Sequence, residues 1–566
     1  MKKHWKRARD RSWAATAAAT LTLSCEGGAA PPLPPLRPPT VLDECPALNE
    51  APLRNGPGAA RPFDCVAVGA SEAPPSVEWP PDDVPTAARV YVSAHAPAGG
   101  DGTRARPFRT VREGLDALRG GAGAVLVARG EYALAGTLVL PVGAQVVGAG
   151  AGASLLLAPR GRAAVTLAGG AAALRGFTLR FEAGDAREED VGVAVVGGGV
   201  LTLEDVRVED ATVGIQAEGA VLFAARVSVL RPALAGVRLL AGSRGVLSRV
   251  WVHHGESLGV HAVDSVLHLG DSLITCNGIA GVTVEGSPPS GRGAARCDGD
   301  LREPTGEAMC WSRVAFRENK LAAVSVAVCR ETTASCTGRS GRITVDARRL
   351  SVQATASRTA RGGDGISLGP HTRFTLDADL GDDATAGGSR VAGNDRSGIL
   401  VTGPDAVFSA RAAFVEGNEG PGIYVQGAAR IDELRGALVA DNAALGLGVT
   451  PSSALGAVTG TRFLATRAGP LPLGAGSGPV FGDGLALSQR SGVVLTANDF
   501  SNNERFAAFL TQVDDGTIRG NRGEGNRYGL VAYSSRVDPT VGNAVRAREA
   551  APSAAPAQLA DDMTMR

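Results

Sequence analysis

A short motif recurs along most of this chain at a nearly constant interval. A small residue opens an apolar triplet of the form Gly-[Val/Ile/Leu]-x-[Val/Leu/Ala], first at Gly192, Gly214, Gly236, Gly259 and Gly281. These four steps are 22, 22, 23 and 22 residues long. An interval of this size is typical of solenoid proteins, in which each repeat buries its apolar side chains against its neighbours.

The series continues almost to the end of the chain. Its later members are Ala323, Gly365, Gly398, Gly422, Gly446, Gly484, Ala507 and Gly529. Steps of 22–24 residues alternate there with steps of 33–42 residues. Because each long step contains a Gly-, Pro- or charge-rich stretch, we interpret it as one repeat plus an inserted loop. Aliphatic residues stand one and three positions after the small residue, which is the alternation of a half-buried strand.

A second series of residues fixes the register of the repeat. Seven asparagines stand three or four residues before the small residue: Asn277, Asn319, Asn394, Asn418, Asn442, Asn503 and Asn526. Asparagine tolerates the left-handed backbone of a tight turn. Stacked in successive repeats, its side-chain amide can hydrogen-bond to the next one in a ladder. We therefore predict a structural role for these asparagines.

These two series predict an all-β fold, a right-handed parallel β-helix of about 15 coils. With neighbouring coils roughly 4.8 Å apart, the rod would be about 70 Å long. A leucine-rich repeat has a similar period, but it needs the pattern Leu-x-x-Leu-x-Leu, which is absent here. We predict that the β-helix spans 89–545 and that a disordered tail follows at 546–566.

Charge and hydrophobicity exclude two other classes of protein. The 57 Lys and Arg residues balance 57 Asp and Glu residues, so net charge gives no basis for binding nucleic acid. Past residue 30 no stretch has 18 apolar residues in a row, which argues against an internal membrane span. The 44% hydrophobic content is sufficient for a folded core.

The N-terminus predicts export. Six cationic side chains lie within residues 1–11, and an Ala/Thr/Leu run over 13–23 has the length of a signal-peptide apolar region. The sequence Leu21-Thr22-Leu23-Ser24-Cys25 resembles the lipobox of bacterial lipoproteins, although Thr22 stands where Leu is usual. The resemblance implies a signal peptide at 1–24, diacylation of Cys25 and a location in the outer membrane or at the cell surface. Ordinary secretory cleavage nearby is the alternative.

The residues after Cys25 fit an anchored protein. Residues 25–40 are rich in Gly, Ala and Pro, as in a semi-rigid extended spacer. Seven further cysteines follow, and no Cys-x-x-Cys pair suggests a zinc site. We expect Cys45–Cys65 to staple a segment at 41–88, and we expect the pairs Cys297–Cys310 and Cys329–Cys336. Cys276 would then remain reduced.

The entry to the repeat region carries a family resemblance. Its elements are Tyr91-Val92-Ser93, Gly100-Asp101-Gly102-Thr103, Pro107-Phe108-Arg109-Thr110-Val111, Gly114-Leu115-Asp116-Ala117-Leu118 and Gly130-Glu131-Tyr132. This order resembles the start of pectate-lyase-like (pectin-lyase superfamily) β-helix proteins. The resemblance implies a short helix, within 107–119, that plugs the open end of the coil. Val111, Leu115 and Leu118 have the helical spacing that such a cap needs.

The resemblance carries over no catalytic motif. Polysaccharide lyases of this fold use acidic residues to hold calcium and a basic residue to take a proton, but we find no calcium-binding repeat array. We therefore expect no cofactor, although the fold would allow calcium. By the predicted register, Glu209, Arg231 and His254 lie side by side, with His253 one residue earlier. They are our only candidates for a general base and its partners, and a surface charge ladder is the alternative.

The sequence also contains a further line of charges and two inserted loops. Asp205, Arg226, Arg249, Asp271 and Arg313 fall near one stacked line. The loops at 285–311 and 330–341 hold many charges and three cysteines, and a fourth, Cys329, directly precedes the second loop. Loops on a rigid scaffold often bind ligands.

Three functions remain open. The chain could be an anchored rod that binds glycan or another envelope component, including a protein, without catalysis. It could be a polysaccharide lyase, hydrolase or epimerase, or a structural envelope scaffold. The missing catalytic set favours binding over catalysis.

Overall fold

The computed structural model describes the repeat region almost throughout. Its described residues are 50–54, 63–70, 77–81, 84, 88–118, 121–287, 308–328, 341–355, 362–377, 388–472, 479–488 and 492–553. They all belong to one compact unit, Glu44–Arg566. No helix within these ranges is long and apolar enough to cross a membrane.

The chain winds into a rod with three sides, and each side is a ladder of parallel strands. One side, sheet A, is a continuous ladder of fifteen strands. Its strands are Leu138–Val139, Val165–Ala168, Val191–Val196, Val213–Glu218, Ala235–Leu240, Leu258–Val263, Ala280–Glu285, Ala322–Ala327, Asp364–Leu368, Ile399–Thr402, Ile423–Gln426, Leu445–Val449, Asp483–Ser488, Phe506–Thr511 and Tyr528–Tyr533. The predicted right-handed parallel β-helix and its number of coils are confirmed.

The other two sides, B and C, are joined by strands that run through both. Five long strands bend from side B to side C at a residue with positive φ: Ala171–Phe181, Val200–Glu209, Val221–Leu230, Val266–Thr275 and Met309–Arg317. The remaining strands of side B are Arg89–Val92, Gly123–Val127, Ala144–Gly148, Arg244–Ser248, Ile343–Arg348, Thr372–Leu376, Val407–Arg411, Arg430–Arg435, Ala454–Thr459, Val493–Thr496 and Gly516–Arg519. Those of side C are Gly130–Ala133, Ser154–Ala158, Trp251–His253, Ser351–Gln353, Arg390–Ala392, Phe414–Glu416, Leu438–Ala440, Arg462–Leu464, Asp499–Ser501, Arg522–Asn526 and Ala544–Ala547.

The asparagines form a buried ladder at the corner between side C and sheet A. Asn394 donates from Nδ2 to Oδ1 of Asn418 at 2.7 Å, and Asn418 donates to Asn442 at 2.7 Å. Asn277 and Asn319 are joined in the same way, as are Asn503 and Asn526. All of these side chains are fully buried. Each amide forms hydrogen bonds with backbone and side-chain groups of the neighbouring coil. Those groups are buried away from water and would otherwise have no partner.

The same corner explains the small residue of the repeat. A Cβ added at Gly422 would lie 2.7 Å from Asn442 Nδ2 and 2.7 Å from the carbonyl oxygen of Gly446. Two coils carry Ala323 and Ala507 at this position, so a methyl group is the largest side chain found there. The asparagine ladder and the glycine series are therefore two parts of one contact between coils.

Replacing Asn418 with Ala should destabilise the protein by about 1–3 kcal/mol, because the amides of Asn394 and Asn442 lose their partner inside the rod. Urea unfolding would measure the loss. Asn502, which has a left-handed backbone and an exposed side chain, supplies the control. The variant Asn502→Gly should change the free energy of unfolding by much less. Equal losses in the two variants would show that the ladder does not hold the coils together.

The N-terminal end of the rod is closed by the predicted helix. It spans Val111–Ala117 and begins with a capping box, in which Thr110 and Glu113 each accept a hydrogen bond from the other's backbone. Val111 and Leu115 are buried in the main core, and Leu118 packs against it. This helix covers the apolar interior that the first coil would otherwise expose.

A segment before the helix lies along the outside of the rod. An antiparallel hairpin, Glu50–Arg54 with Phe63–Ala67, contacts the strands Val266–Thr275 and Met309–Arg317. Val68 then packs on side C among Trp251, Leu273 and Ala315. The predicted pairing of Cys65 with Cys45 stays a prediction, since Cys45 lies outside the described residues.

The C-terminal tail was predicted to be disordered from Arg546, and this is wrong for its first part. Strand Ala544–Ala547 pairs with Arg522–Asn526. After it, Tyr533 donates from its hydroxyl to the carbonyl oxygen of Pro552 at 2.6 Å, and Glu549 accepts from Arg527 at 2.9 Å. The composition of this stretch hid a last strand that pairs with the end of the rod. Residues 554–566 lie outside the description.

A second apolar cluster lies on the outer surface of sheet A. It contains Leu400, Tyr424, Ala444, Leu445, Leu471, Phe481, Ala486, Phe506 and Phe509. Leu471 and Phe481 come from the excursion 467–482, which includes a two-stranded hairpin, Gly469–Pro470 with Val480–Phe481. We call this cluster the outer apolar cluster. The described ends of this excursion are therefore packed against the sheet.

Candidate functional site

A row of polar side chains runs along the outer face of sheet A. Adjacent strands pair Gln216 with Arg238, Arg238 with His261, and His261 with Thr283. The register continues from Thr283 to Ser325 and from Ser325 to Ser367. The flanking aliphatic residues of each strand point into the core, so these six side chains face outwards. We call them the polar row.

The middle of the polar row is partly enclosed. His261 Nε2 lies 3.5 Å from Glu285 Oε1, and the two side chains are 17% and 30% exposed. Thr283 is fully buried although it faces outwards. Among the described residues, Thr283 Oγ1 has no hydrogen-bond partner, and the contact of His261 Nε2 with Glu285 does not have hydrogen-bond geometry. Because both atoms are buried, a ligand on the row would meet the partly exposed side chains of Arg238, His261 and Ser325 and not these two atoms.

The electrostatics of the row are mixed. Arg238 adds a guanidinium beside His261, and Glu285 adds a carboxylate on the other side of it. Arginine and histidine side chains donate hydrogen bonds, and carboxylate, hydroxyl and amide oxygens accept them. The row therefore offers both donors and acceptors over consecutive coils about 4.8 Å apart, as a ligand rich in hydroxyl groups would need.

The described carboxylates of this face do not form the pair that glycoside hydrolysis uses. On the strands from Val213 to Ala327 they are Glu218 and Glu285, three strand spacings apart, or about 14 Å. Hydrolases of both stereochemical types hold their two carboxyl groups about 5–10 Å apart. Asp264, in the turn beside Glu285, accepts a hydrogen bond from the backbone of Ser287 at 2.7 Å. That contact fixes the turn.

No group of three or more His, Cys, Asp and Glu residues in the described parts of the chain could hold a metal ion.

The structure separates the residues that the sequence placed together around His254. The strand register pairs Glu209 with Leu230, and Leu230 with His253. Glu209 is therefore not in line with Arg231 and His254, and our prediction that the three lie side by side is wrong. The corner that follows Glu209 is one residue shorter than the same corner of the next coil. Counting back from the glycine series therefore misaligned Glu209 by one residue.

Glu209 and Arg231 are occupied by other partners. Glu209 accepts from Arg180 at 2.8 and 2.6 Å, and it is buried. Arg231 donates to Asp210 at 2.7 and 3.0 Å, and this bond keeps the pKa of the Asp210 carboxyl below its usual value. Such pairs are a charge ladder on the outside of the rod.

His253 is placed as a structural residue. Its ring stacks on Trp251, with ring centroids 3.7 Å apart, and its Nδ1 lies 2.7 Å from Nδ1 of His254. Burial, followed by the charges of His254 and nearby arginines, lowers the pKa of His253 to about 3. A base this weak would be poorly matched to proton abstraction near neutral pH. His254 has a left-handed backbone at the corner of its coil.

The second line of charges marks the bend between sides B and C. All five residues, Asp205, Arg226, Arg249, Asp271 and Arg313, have positive φ. Arg226 donates to Asp205 at 2.8 and 2.7 Å, and Arg313 donates to Asp271 at 2.8 Å. These ion pairs hold neighbouring bends together, so this line also has a structural role.

The cysteines differ from the prediction at one position. Cys276 is disulfide-bonded, as is Cys310, so the expected reduced thiol at Cys276 is wrong. Cys297, Cys329 and Cys336 lie outside the described residues, as do most of the two inserted loops. The pairings Cys297–Cys310 and Cys329–Cys336 therefore stay predictions.

The polar row was missed although its signal is present in the sequence. Each of its residues is the unspecified x of the Gly-[Val/Ile/Leu]-x-[Val/Leu/Ala] motif or its Ala-led equivalent, and that position points away from the core. Read along the chain, this position gives Gln216, Arg238, His261, Thr283, Ser325 and Ser367, and then Leu400 and Tyr424. A second asparagine ladder, Asn498–Asn521–Asn543, was missed as well.

The fold defines the class of protein: a right-handed parallel β-helix repeat protein. Residues 362–546 match the family model described as "Right handed beta helix region". No curated protein matches the chain in sequence.

Solved structures resemble the chain at the level of the fold. The catalytic domain of a GH87 alpha-1,3-glucanase variant, in complex with nigerose, is 11% identical with a TM-score of 0.36, over 83% of this chain and 70% of that chain. The A-module of the mannuronan C-5 epimerase AlgE4 from Azotobacter vinelandii is 15% identical with a TM-score of 0.30, over 82% and 100% of the two chains. Likeness at this level concerns the architecture and leaves activity to the residues of each protein.

Proposed function

We propose that this protein is an exported, membrane-anchored β-helix that binds a linear polysaccharide along the polar row without cleaving it. The observation that carries the proposal is the row itself. Six consecutive coils place a polar side chain at the same outward position, where the following coils place Leu400 and Tyr424. A repeating ligand that follows the rod axis could meet such a group on each of these coils except that of Thr283, which is buried.

The chemistry of the row supports binding without hydrolysis. The donors Arg238 and His261 and the hydroxyls of Ser325 and Ser367 match the hydroxyl and carboxylate groups of sugars. On the strands from Val213 to Ala327, the described carboxylates of the outer face are Glu218 and Glu285. They are about 14 Å apart, which is too far for a hydrolytic pair.

A second candidate function is catalysis on a polysaccharide. It is favoured by the contact of His261 Nε2 with Glu285 Oε1 at 3.5 Å. A histidine oriented by a carboxylate can act as a general base. In this case His261→Ala would abolish turnover.

The test is a screen of the protein against polygalacturonate, polymannuronate, dextran and a linear α-1,3-glucan. Retention, new reducing ends and the absorbance of unsaturated products would be followed together, with calcium and with a chelator. We expect retention without turnover. Turnover that is lost in His261→Ala would favour the enzyme, and indifference to every glycan would leave the structural scaffold.

Replacing Arg238 with Ala should weaken binding of the retained polysaccharide about 10- to 100-fold. The lost hydrogen bonds come from a charged donor, for which about 1.5–3 kcal/mol is typical. Arg462, exposed on side C, supplies a matched control, and Arg462→Ala should bind like the wild type. An equal loss of affinity in both variants would place the binding surface elsewhere.

The anchor is a separate part of the proposal. Cys25 lies outside the described residues, and its support is the sequence around it. Replacing Cys25 with Ala should move the protein from the membrane fraction to the soluble exported fraction, which cell fractionation and mass spectrometry of the N-terminus would show. If the wild-type protein carries no acyl group, the alternative of secretion with ordinary signal-peptide cleavage remains.

A further inference from the structure

The two ends of the polar row differ in how open the outer face of sheet A is. Towards the N-terminal end of the rod, the outward positions that precede Gln216 are Thr166 and Ala194, and both are partly exposed. Their side chains are short. No described segment covers this end of the face, so a ligand lying on the row can extend beyond it in this direction.

The other end of the row is blocked. The register passes from Ser367 to Leu400 and from Leu400 to Tyr424. Leu400 is only 4% exposed and Tyr424 is fully buried, because both belong to the outer apolar cluster. The excursion 467–482 contributes Leu471 and Phe481 to this cluster from outside the sheet. The outer face is therefore occupied from Leu400 onwards.

The block is rigidly built. Arg505 donates to Asp483 at 2.6 and 2.5 Å beneath the excursion, and its guanidinium lies 4.7 Å from the ring centre of Phe481. The carboxylate of Asp483 is fully buried, and Arg505 is 14% exposed. A buried ion pair with a ring stacked over it holds the excursion against the sheet.

We infer that the polar row receives the end of a linear polysaccharide chain and excludes its interior. This inference rests on the proposed function. A ligand that lay along the row in mid-chain would have to continue over Leu400 and Tyr424, where the excursion stands. A chain end can instead stop at Ser367 while the rest of the chain leaves over Ala194. The partly exposed side chains of His261 and Ser325 lie within the stretch that the last sugar units would cover.

The test uses the polysaccharide retained in the screen, separated into fractions of increasing chain length. Binding to the whole protein would be measured by isothermal titration calorimetry, with concentration expressed per chain. We expect one protein to bind per polysaccharide chain, with the same affinity for every chain that is longer than the polar row. A number of bound proteins that rises in proportion to chain length would overturn the inference and leave the proposed function standing.

A variant tests the cause of the effect. Deleting 468–481 joins Arg467 to Gly482, so that two residues separate Thr466 from Asp483, as Glu504 and Arg505 separate Asn503 from Phe506. Several copies of this variant should bind to each long polysaccharide chain, while circular dichroism shows that the rod is intact. If the variant does not fold, the length series on the wild type decides the question alone. Failure of every probe to bind would instead contradict the proposed function, and the inference with it.

Discussion

Replacing Arg505 with Ala should cost about 3–5 kcal/mol of stability, which is the usual result of removing one partner of a buried ion pair. Its partner Asp483 is fully buried and would keep only one other described hydrogen bond, from the backbone of Phe506 at 3.2 Å. Burial already raises the pKa of Asp483. Without the guanidinium, the carboxyl would have to take up a proton or unfold its surroundings. Urea unfolding near neutral pH would measure the loss.

Two further variants separate the charge from the packing. Arg522 lies 3.6 Å from Asp499 and is 76% exposed, and exposed pairs contribute about 0–1 kcal/mol. Arg522→Ala is therefore the matched control. Replacing Arg505 with Met and Asp483 with Leu together removes both charges, and should restore much of the stability that Arg505→Ala loses. A double variant as unstable as Arg505→Ala would show that the charge of Asp483 is not the cause.

Two buried histidines should lower the stability of the protein between pH 6.5 and about 4, because they take up protons when the chain unfolds. His268 is fully buried, and its Nδ1 accepts a hydrogen bond from the backbone of Cys310 at 3.1 Å. Burial, followed by the charge of Arg244, lowers the pKa of His268 to about 4. Burial likewise lowers the pKa of His253 to about 3.

The direction of the effect follows from the pKa values in the two states. An unfolded histidine has a pKa near 6.5, so the unfolded chain binds more protons than the folded one below that pH. The stability is fully present above pH 6.5 and is lost as the pH falls towards the folded values. At about 1.4 kcal/mol per pKa unit, the shift of His268 corresponds to about 3 kcal/mol.

Three of the described carboxyls act in the opposite direction. Burial raises the pKa of Asp271 and Asp483, and it raises the pKa of Asp377 to about 6, so these groups favour the folded state at acid pH. For Asp377 the effect is about 3 kcal/mol. A comparison of the wild type with a histidine variant therefore isolates the contribution of the histidine.

The measurement is the urea midpoint as a function of pH for the wild type and for His268→Asn. The Asn side chain can still accept the bond from Cys310 and has no proton to gain, so the variant should lose less stability between pH 6.5 and 4. His95, which is exposed, supplies the control, and His95→Gln should retain the wild-type profile. Equal losses of stability with acid in the wild type and in His268→Asn would contradict a buried neutral His268.

The fold could be predicted from sequence because its signals are periodic. Glycines such as Gly422, and asparagines such as Asn418 and Asn442, recur because each coil makes the same close contact with the next. A contact that repeats along the rod leaves a repeated pattern in the sequence. The helix at Val111–Ala117 was predictable for a different reason, since its capping residue and its apolar face are local.

The site was harder to predict because nothing repeats in it. The outward position of each coil carries a different residue, such as Gln216, Arg238 or His261, and only the register of sheet A brings these residues into one row. The error at Glu209 shows how sensitive this is, because one residue fewer in a corner moved a charge out of line. The outer apolar cluster depends on an excursion that returns to the sheet, and no local pattern predicts that contact.

The location of a bound polysaccharide on the rod tests the central claim most directly. We would determine a crystal structure of the protein with a short oligosaccharide of the glycan retained in the screen. We predict the ligand on the outer face of sheet A, in contact with Arg238, His261 and Ser325, with its end near Ser367. A ligand on side B or side C, or one bound across Tyr424, would contradict it.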